Sequence, residues 1–212
     1  MKTLPLFLAV FLVALPAAAG DDWETVLSSP IVVKTRLREG SAVKEVWAEG
    51  VIDAPVQDIQ AALMDPARFP KFMPYVKEAR VVGQPEPDGA NIVYTRLDLP
   101  LVSPRDYVLR VYLDQGTLPD GTGEFREHWE ATNKLPARYG IVRLTTNNGG
   151  WHVTPQADGK SWAEYKFNVN PGGWIPAFAA DLGNKDGVSD TWKAVEKEAQ
   201  RRANERKAHA AK

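Results

Sequence analysis

Two histidines are the side chains of this sequence best suited to acid–base chemistry or metal binding near neutral pH. His128 lies in "GEFREHWEA" and His152 lies in "GGWHVTP". Both belong to predicted strands, and strand alternation places them on the face opposite Trp129 and Trp151. We predict no metal site, because neither histidine has a neighbouring cysteine or a carboxylate motif. A histidine acting as general acid or base stays open, whereas the sequence has no cysteine and no G-x-S-x-G motif to supply a nucleophile of those kinds.

The segment "PLVSPRDYVLRV", residues 100–111, interrupts a strand pattern with two prolines. Proline cannot donate a ladder hydrogen bond, so the two prolines predict a loop between two strands. Alternation gives each flanking strand one face that is nearly free of charge. The residues of these faces are Val93, Thr95, Leu97 and Leu99 before the loop, and Tyr107, Leu109 and Val111 after it. The loop is apolar at Leu101 and Val102, which predicts either a lid or membrane-touching tip or a hairpin connection packed on the domain.

The rest of the pattern predicts the elements that position these strands. They are a short helix in "DDWETVLSS" (21–29), a hairpin in "IVVKTRL" and "AVKEVWAEGVI", two short helices in "DAPVQDIQAALMDP" and "ARFPKFMPYV", and five or six strands between Glu78 and Val169. A long helix ends the chain, with an apolar stripe at Val188, Trp192, Val195, Ala199 and Ala203. Only this helix is long enough to cover a sheet of hairpin-connected strands. We therefore predict an α+β fold in which a curved antiparallel sheet wraps around the C-terminal helix.

Length and composition favour one exported domain without disulfides. The 212 residues suit a single domain with a large core, and the 26 basic against 27 acidic residues argue against a nucleic-acid partner. Residues 1–20 combine Lys2, an apolar run and the motif Ala17-x-Ala19, which is the pattern of a cleaved signal peptide. We therefore expect a single mature domain over 21–212, periplasmic or secreted. Its fold must rest on its own core, because the sequence has no cysteine.

Three blocks of the sequence carry a family resemblance. They are "DAPVQDIQAALMDPARFPKFMPYVKEARVV", "SPRDYVLRVY" and "PGGWIPAFAADLGNKDGVSDTWKAVEKEA". In this order and spacing they resemble the START lipid-transfer domain of the helix-grip superfamily, over about residues 22–200. The resemblance implies an internal cavity between the sheet and the C-terminal helix that holds one phospholipid, sterol or other apolar molecule without catalysis. It also implies a loop and that helix as a lid, no cofactor, transient membrane contact and a monomer.

An enzyme of the same superfamily is the alternative to a lipid-binding domain. Polyketide cyclases and aromatases share the helix-grip fold, and such an enzyme would act on an apolar substrate with a histidine as general acid or base. We favour the non-enzymatic interpretation, because the sequence offers no further catalytic motif.

The predicted ligand-binding residues come from two strand faces, the loop between them, the last strand and the C-terminal helix. They are Val93, Thr95, Leu97, Leu99, Leu101, Val102, Tyr107, Leu109, Val111, Phe167, Trp174, Phe178, Leu182, Val188, Trp192 and Val195. The "GNKDG" break before the last helix predicts a lid hinge or a simple kink. We expect this break to approach the "PLVSP" loop and form the gate. The basic tail at about 200–212 predicts a solvated helix end or, alternatively, docking on an anionic lipid surface.

One departure from the family pattern concerns charge inside the cavity. Family members that bind sterols or phospholipids often have an arginine six residues after the arginine of the Arg-Asp pair, near an acid from the preceding strand. Here that position is Val111, Arg110 falls on the opposite face, and Thr95 takes the place of the acid. We therefore expect no charge pair in the cavity. We interpret Arg105 and Asp106 as a structural link between the loop and the strand end, with direct ligand contact as the alternative.

Overall fold

The structure is a computed structural model that describes residues 22–37, 43–173 and 185–211. Its strands are β1 (Glu24–Leu27), β2 (Val32–Leu37), β3 (Lys44–Ile52), β4 (Val76–Val81), β5 (Asn91–Leu97), β6 (Arg105–Gln115), β7 (Phe125–Ala131), β8 (Val142–Arg143), β9 (Thr146–Pro155) and β10 (Ser161–Asn170). Its helices are α1 (Val56–Leu63), α2 (Phe69–Phe72) and α3 (Lys185–Ala210), with short 3-10 turns at Pro66–Arg68 and Ala157–Gly159.

The described strands form one sheet in the order β1-β2-β3-β10-β9-β7-β6-β5-β4. Neighbours in this order are antiparallel, and the two-residue β8 pairs in parallel with the start of β6. The predicted hairpin of β2 and β3 is present. Strand β3 also pairs with β10, the last described strand in the sequence. The predicted α+β fold class, an antiparallel sheet with a long C-terminal helix, is confirmed. Counting β8, seven strands follow α2 rather than five or six.

Helix α3 packs against α1 and the sheet through its apolar stripe. Its residues Val188, Trp192 and Val195 are buried in the same cluster as Ile59 of α1 and Trp151 of β9. Each large apolar side chain that is fully buried contributes roughly 1.5–3 kcal/mol to folding. The helical spacing that predicted the apolar stripe therefore identified the face of α3 that packs against α1 and the sheet.

The first element is a strand, so the prediction of a short helix over 21–29 is wrong. Residues Glu24–Leu27 pair with β2, and Trp23 meets Trp47 edge-on with ring centroids 5.7 Å apart. A helix of two turns gains few hydrogen bonds for the cost of its nucleation. An edge strand instead pairs its backbone with β2, and the β-branched Thr25 and Val26 suit that conformation.

Ion pairs attach the C-terminal half of α3 to the segment that contains α1. Arg206 pairs with Asp58 at 2.7 Å, and Arg202 pairs with Asp65 at 2.7 Å. Arg202 and Arg206 of the basic tail thus have carboxylate partners within the domain and do not form a merely solvated helix end, whereas docking of the tail on a lipid surface stays a prediction. In the described part of the chain, no helix combines the length and apolar character needed to cross a membrane.

Candidate functional site

A cavity of about 490 Å³ lies between the sheet and the helical segments. Such a volume falls within the range of small-molecule sites in proteins. Strands β5 and β6 contribute alternate residues to its wall, because side chains on one face of a strand are two positions apart. Their contributions are Asn91, Val93, Thr95 and Leu97 from β5, and Arg105, Tyr107, Leu109 and Val111 from β6.

Eight of the predicted ligand-binding residues line this cavity. They are Val93, Thr95, Leu97, Leu99, Tyr107, Leu109, Val111 and Phe167. Three others, Val188, Trp192 and Val195, belong to α3 and are buried in the core. The residues of α3 that line the cavity are instead Gly187 and Thr191. Trp174, Phe178 and Leu182 lie outside the described residues, and so do Gly183 and Asn184 of the "GNKDG" break, whose last three residues begin α3. The predicted gate between that break and the "PLVSP" loop therefore stays a prediction.

The loop between β5 and β6 borders the cavity but turns its tip to solvent. Leu99 lines the cavity, whereas Leu101 is 85% exposed and has a positive φ of 62°. A leucine in the left-handed region is strained, and such strain is concentrated at functional segments. Val102 is half-buried and does not line the cavity. This geometry agrees with an exposed apolar tip rather than with a connection packed on the domain.

The sequence interpretation missed two groups of lining residues. The first comes from α1, α2 and their connections and includes Leu63, Met64, Pro66, Phe69, Met73, Pro74 and Tyr75. The second comes from the far half of the sheet and includes Glu127, Trp129, Asn147, Trp151, Tyr165 and Val169. The alternation of β7 did place Glu127 and Trp129 on one face, but it could not show that this face borders a cavity.

Aromatic rings cover the far half of the wall. Trp151 and Tyr165 stack with ring centroids 4.3 Å apart, and Tyr165 lies next to Phe167 at 4.7 Å. Trp129 extends across β9 and donates its indole N–H to Asn147 Oδ1 at 3.0 Å. Gly149 makes this position possible, because a Cβ there would lie 2.6 Å from the Trp129 ring. This part of the wall is therefore closely packed and largely apolar.

A few polar groups interrupt the apolar wall. Glu127 is 6% exposed, and burial, with a smaller effect from the Asp114 carboxylate, raises its pKa to about 8. Burial also raises the pKa of Tyr107, whose hydroxyl forms a hydrogen bond with Thr95 on the neighbouring strand. Burial likewise raises the pKa of Tyr165, with smaller effects from Tyr107 and Glu127. These groups are neutral at pH 7 or mainly so, and they can both donate and accept hydrogen bonds.

Arg105 and Asp106 link segments near the edge of the cavity. The Arg105 guanidinium donates to the carbonyl oxygens of Ser103 at 2.5 Å and Pro171 at 3.2 Å. It thereby connects the loop before β6 to the end of β10. Asp106 is fully buried and accepts hydrogen bonds from Arg143 at 2.7 and 3.1 Å. Both side chains thus have structural contacts, as expected, although Arg105 also reaches the cavity wall.

The expected absence of an arginine–acid pair at the two family positions agrees with the geometry. Val111 and Thr95 line the cavity, and Arg110 lies on the opposite face of β6. Its guanidinium pairs there with Glu86 at 3.0 Å, Glu130 at 2.9 Å and also with Asp88. Arg110 is therefore a surface residue of the sheet, as the alternation predicted.

Both histidines lie on the outer face of the sheet. His128 contacts Asp114 at 2.8 Å and stacks on Tyr112, and His152 contacts Glu124 at 2.9 Å. Neither lines the cavity. Across residues 22–37, 43–173 and 185–211, no three histidine, aspartate or glutamate side chains are grouped as a metal site would need.

Comparison with known proteins places the chain in a family. A family model described as polyketide cyclase / dehydrase and lipid transport matches residues 52–196. The chain belongs to this family. This member of the polyketide cyclase / dehydrase and lipid transport family is 28% identical over 198 residues to an uncharacterized protein of Pseudomonas aeruginosa, covering 92% of this chain and 94% of the relative.

Two further relatives of this family member have descriptive names. The phosphatidylcholine transfer protein of Bos taurus is 28% identical over 195 residues, covering 87% of each chain. The crystal structure of a STAR-related lipid transfer protein fragment from Xanthomonas axonopodis is 28% identical and superposes with a TM-score of 0.72, covering 85% of this chain and 99% of that chain. The identification of a START domain with the helix-grip fold is thereby confirmed.

Proposed function

We propose that this START domain binds a single lipid in its cavity and carries it without chemical change. The observation on which the proposal rests is the 490 Å³ cavity, whose wall is formed mainly by aliphatic and aromatic side chains. The names of the bovine and Xanthomonas relatives, a phosphatidylcholine transfer protein and a STAR-related lipid transfer protein, support lipid as the ligand class.

Burial of the hydrocarbon part can supply most of the affinity. Each methylene transferred from water to an apolar site contributes about 0.8 kcal/mol, so an acyl chain of about 16 carbons gains roughly 13 kcal/mol before the costs of association and ordering. Retention of a lipid therefore does not require a charged contact. This agrees with the apolar residues Val111 and Leu109 at the centre of β6.

The second candidate is an enzyme of the polyketide cyclase type, which the family description includes. A general acid or base must come within hydrogen-bond reach of the reacting group. The outward positions of His128 and His152 therefore support the non-enzymatic proposal over a histidine-dependent cyclase.

Substitutions inside and outside the cavity test the carrier proposal. Replacing Leu109 or Val111 with Asp should abolish lipid uptake, because each change adds a charge to the apolar wall. Val111→Trp, which fills space without a charge, should also reduce uptake strongly. His128→Ala and His152→Ala should leave uptake intact. Native mass spectrometry of the purified protein, with identification of the extracted lipid, measures the lipid uptake of all five variants. Circular dichroism verifies that the variants are folded.

Two outcomes of this experiment would contradict the proposal. The first is full lipid retention by folded Val111→Trp and Leu109→Asp variants. The second is turnover of a bound polyketide or ester that disappears in a histidine variant, which would favour the enzyme. Transient membrane contact through exposed Leu101 and a monomeric state are part of the proposal, and vesicle co-sedimentation and sedimentation velocity test them.

We also propose that the protein is exported. The order of Lys2, the apolar run and Ala17-x-Ala19 supports a signal peptide, so the mature chain should begin near Gly20 or Asp21. N-terminal sequencing of the protein from the periplasm or culture medium is the measurement. An intact Met1 on a membrane-bound protein would overturn the proposal.

A further inference from the structure

Glu127 is a buried carboxyl group on an otherwise mostly apolar part of the cavity wall. Its side chain lines the cavity, and the residue is 6% exposed. Its register partners on the neighbouring strands are Leu113 of β6 and Trp151 of β9. Among the described residues, the structure shows no hydrogen bond or ion pair to the Glu127 carboxyl group. A buried polar group without a partner destabilises a fold, so its presence in a cavity points to a ligand.

The surroundings of Glu127 determine which polar group it can accept. In the part of the chain that the structure describes, the other ionisable side chains that line the cavity are Arg105, Tyr75, Tyr107 and Tyr165. Arg105 is engaged by backbone carbonyl oxygens at the edge of the cavity. Tyr107 and Tyr165 are neutral, because burial raises the pKa of both hydroxyls. The Asp114 carboxylate, which pairs with His128, adds negative potential from the opposite face.

An anionic group would be disfavoured at this position. It would meet the Glu127 carboxyl group and the field of Asp114, and Arg105, the one described cationic side chain of the wall, is already engaged by backbone carbonyl oxygens. A protonated carboxyl group, in contrast, offers one O–H donor and one acceptor oxygen. A hydroxyl group has the same two capacities, so the two groups can satisfy each other reciprocally. Trp151 is the register partner of both Glu127 and Tyr165, and all three side chains line the cavity, so the Tyr165 hydroxyl lies on the same face and can complete the arrangement.

We propose that Glu127, in its protonated form and assisted by Tyr165, is the polar subsite of the cavity and binds an uncharged hydroxyl group of the lipid. The hydrocarbon part then lies against the rings of Trp129 and Phe167 and the apolar faces of β5 and β6. This inference rests on the proposed function and specifies the ligand class for it: a neutral, hydroxyl-bearing lipid.

A series of ligands with one chain length and different head groups tests the subsite. Dodecanol, dodecane, dodecyl phosphate and dodecylammonium are titrated into delipidated protein, and the fluorescence of the cavity tryptophans reports binding. We expect dodecanol to bind at least about 10-fold more tightly than dodecyl phosphate, the factor that one hydrogen bond of ordinary strength provides.

Three variants separate the chemistry of Glu127 from its size and charge. Glu127→Leu should weaken dodecanol about 10-fold and leave dodecane unchanged, because it removes only the polar contact. Glu127→Gln keeps a donor and an acceptor without charge, so it should bind dodecanol within about 3-fold of the wild type. Glu130→Gln, on the outer face of the same strand, is the matched control and should change nothing.

The pH dependence gives an independent readout. Because the protonated form of Glu127 binds the hydroxyl group, wild-type affinity for dodecanol should fall as pH rises from 7 through about 8 to 9.5, where the carboxyl ionises. Affinity of Glu127→Gln should stay constant over this interval. The hydroxyls of Tyr107 and Tyr165 remain protonated there, because their pKa values are raised.

The outcomes distinguish this inference from the proposed function. If dodecanol and dodecane bind equally and Glu127→Leu has no effect, the subsite is overturned while the carrier proposal stands. If dodecylammonium binds most tightly and is lost in both Glu127→Leu and Glu127→Gln, the carboxylate recognises a cation and the neutral subsite is wrong. If none of the four compounds binds, the proposed lipid-binding function itself fails.

Discussion

Replacing Asp106 with alanine is expected to lower the free energy of unfolding by about 3–5 kcal/mol, the usual effect of removing one partner from a buried ion pair. Asp106 is fully buried and its partner Arg143 is 11% exposed in the side chain. Without the carboxylate, the guanidinium keeps only its hydrogen bonds to the carbonyl oxygens of Leu135 and Pro136, at 2.8 and 3.1 Å. Urea unfolding followed by tryptophan fluorescence measures the change.

A surface pair of the same type provides the control for Asp106. Asp98 receives two hydrogen bonds from Arg96, at 2.9 and 2.8 Å, but its side chain is 38% exposed. Asp98→Ala should therefore cost at most about 1 kcal/mol. The double variant Asp106→Leu with Arg143→Met removes both charges and should recover much of the loss. A loss below about 1 kcal/mol in Asp106→Ala, or no recovery in the double variant, would contradict this account.

Replacing Glu198 with glutamine is expected to lower the free energy of unfolding by about 2–3 kcal/mol at pH 7. The Glu198 side chain is 4% exposed and accepts hydrogen bonds from Arg201, Arg68 and Arg202. These guanidinium groups, Arg201 first, lower its pKa to about 2. The partners are themselves partly exposed, so solvent screening reduces the effect somewhat.

The pH dependence of this effect has a definite sign. The pKa of Glu198 is lowered in the folded chain, so its contribution is present above the unfolded value near 4.5 and is lost as pH falls toward 2. The difference between wild type and Glu198→Gln in urea unfolding should therefore narrow below about pH 4.5. Glu205→Gln, at an exposed partner of Arg201, should stay within about 0.5 kcal/mol of the wild type. A difference that persists unchanged at low pH would refute the electrostatic explanation.

The periodicity of the sequence predicted the faces of elements well. The helical spacing of Val56, Ile59 and Leu63 predicted α1, and the alternation around the two prolines predicted which residues of β5 and β6 face inward. Hydrophobic periodicity and the effect of proline and glycine on the backbone extend over only a few positions. A single sequence is therefore enough to recognise helices, strands and loops of this kind. The order of these elements also carried the family resemblance and the fold class.

Features that depend on distant pairing could not be predicted. Glu24–Leu27 is a strand because β2 offers an edge, which a local pattern does not show. The partner of Asp106 is Arg143, which lies 37 positions away, and the alternation of apolar and polar residues does not predict such distant pairs. Alternation placed Glu127 on the same face of β7 as Trp129, but whether that face borders a cavity depends on the register of β7 with β9 and on the curvature of the sheet.

The pairing of β3 with β10 also has a consequence for how the chain reaches its structure. The strands from β4 to β10 pair mostly with sequence neighbours, whereas Ile52 must find Ser161 more than half of the chain away. Closing a flexible loop of about 100 residues costs roughly 4 kcal/mol of chain entropy. Contacts of such high contact order slow folding. We therefore expect the wall of the cavity to form early, from local hairpins, and the β3–β10 junction with the packing of α1 on α3 to complete the domain last.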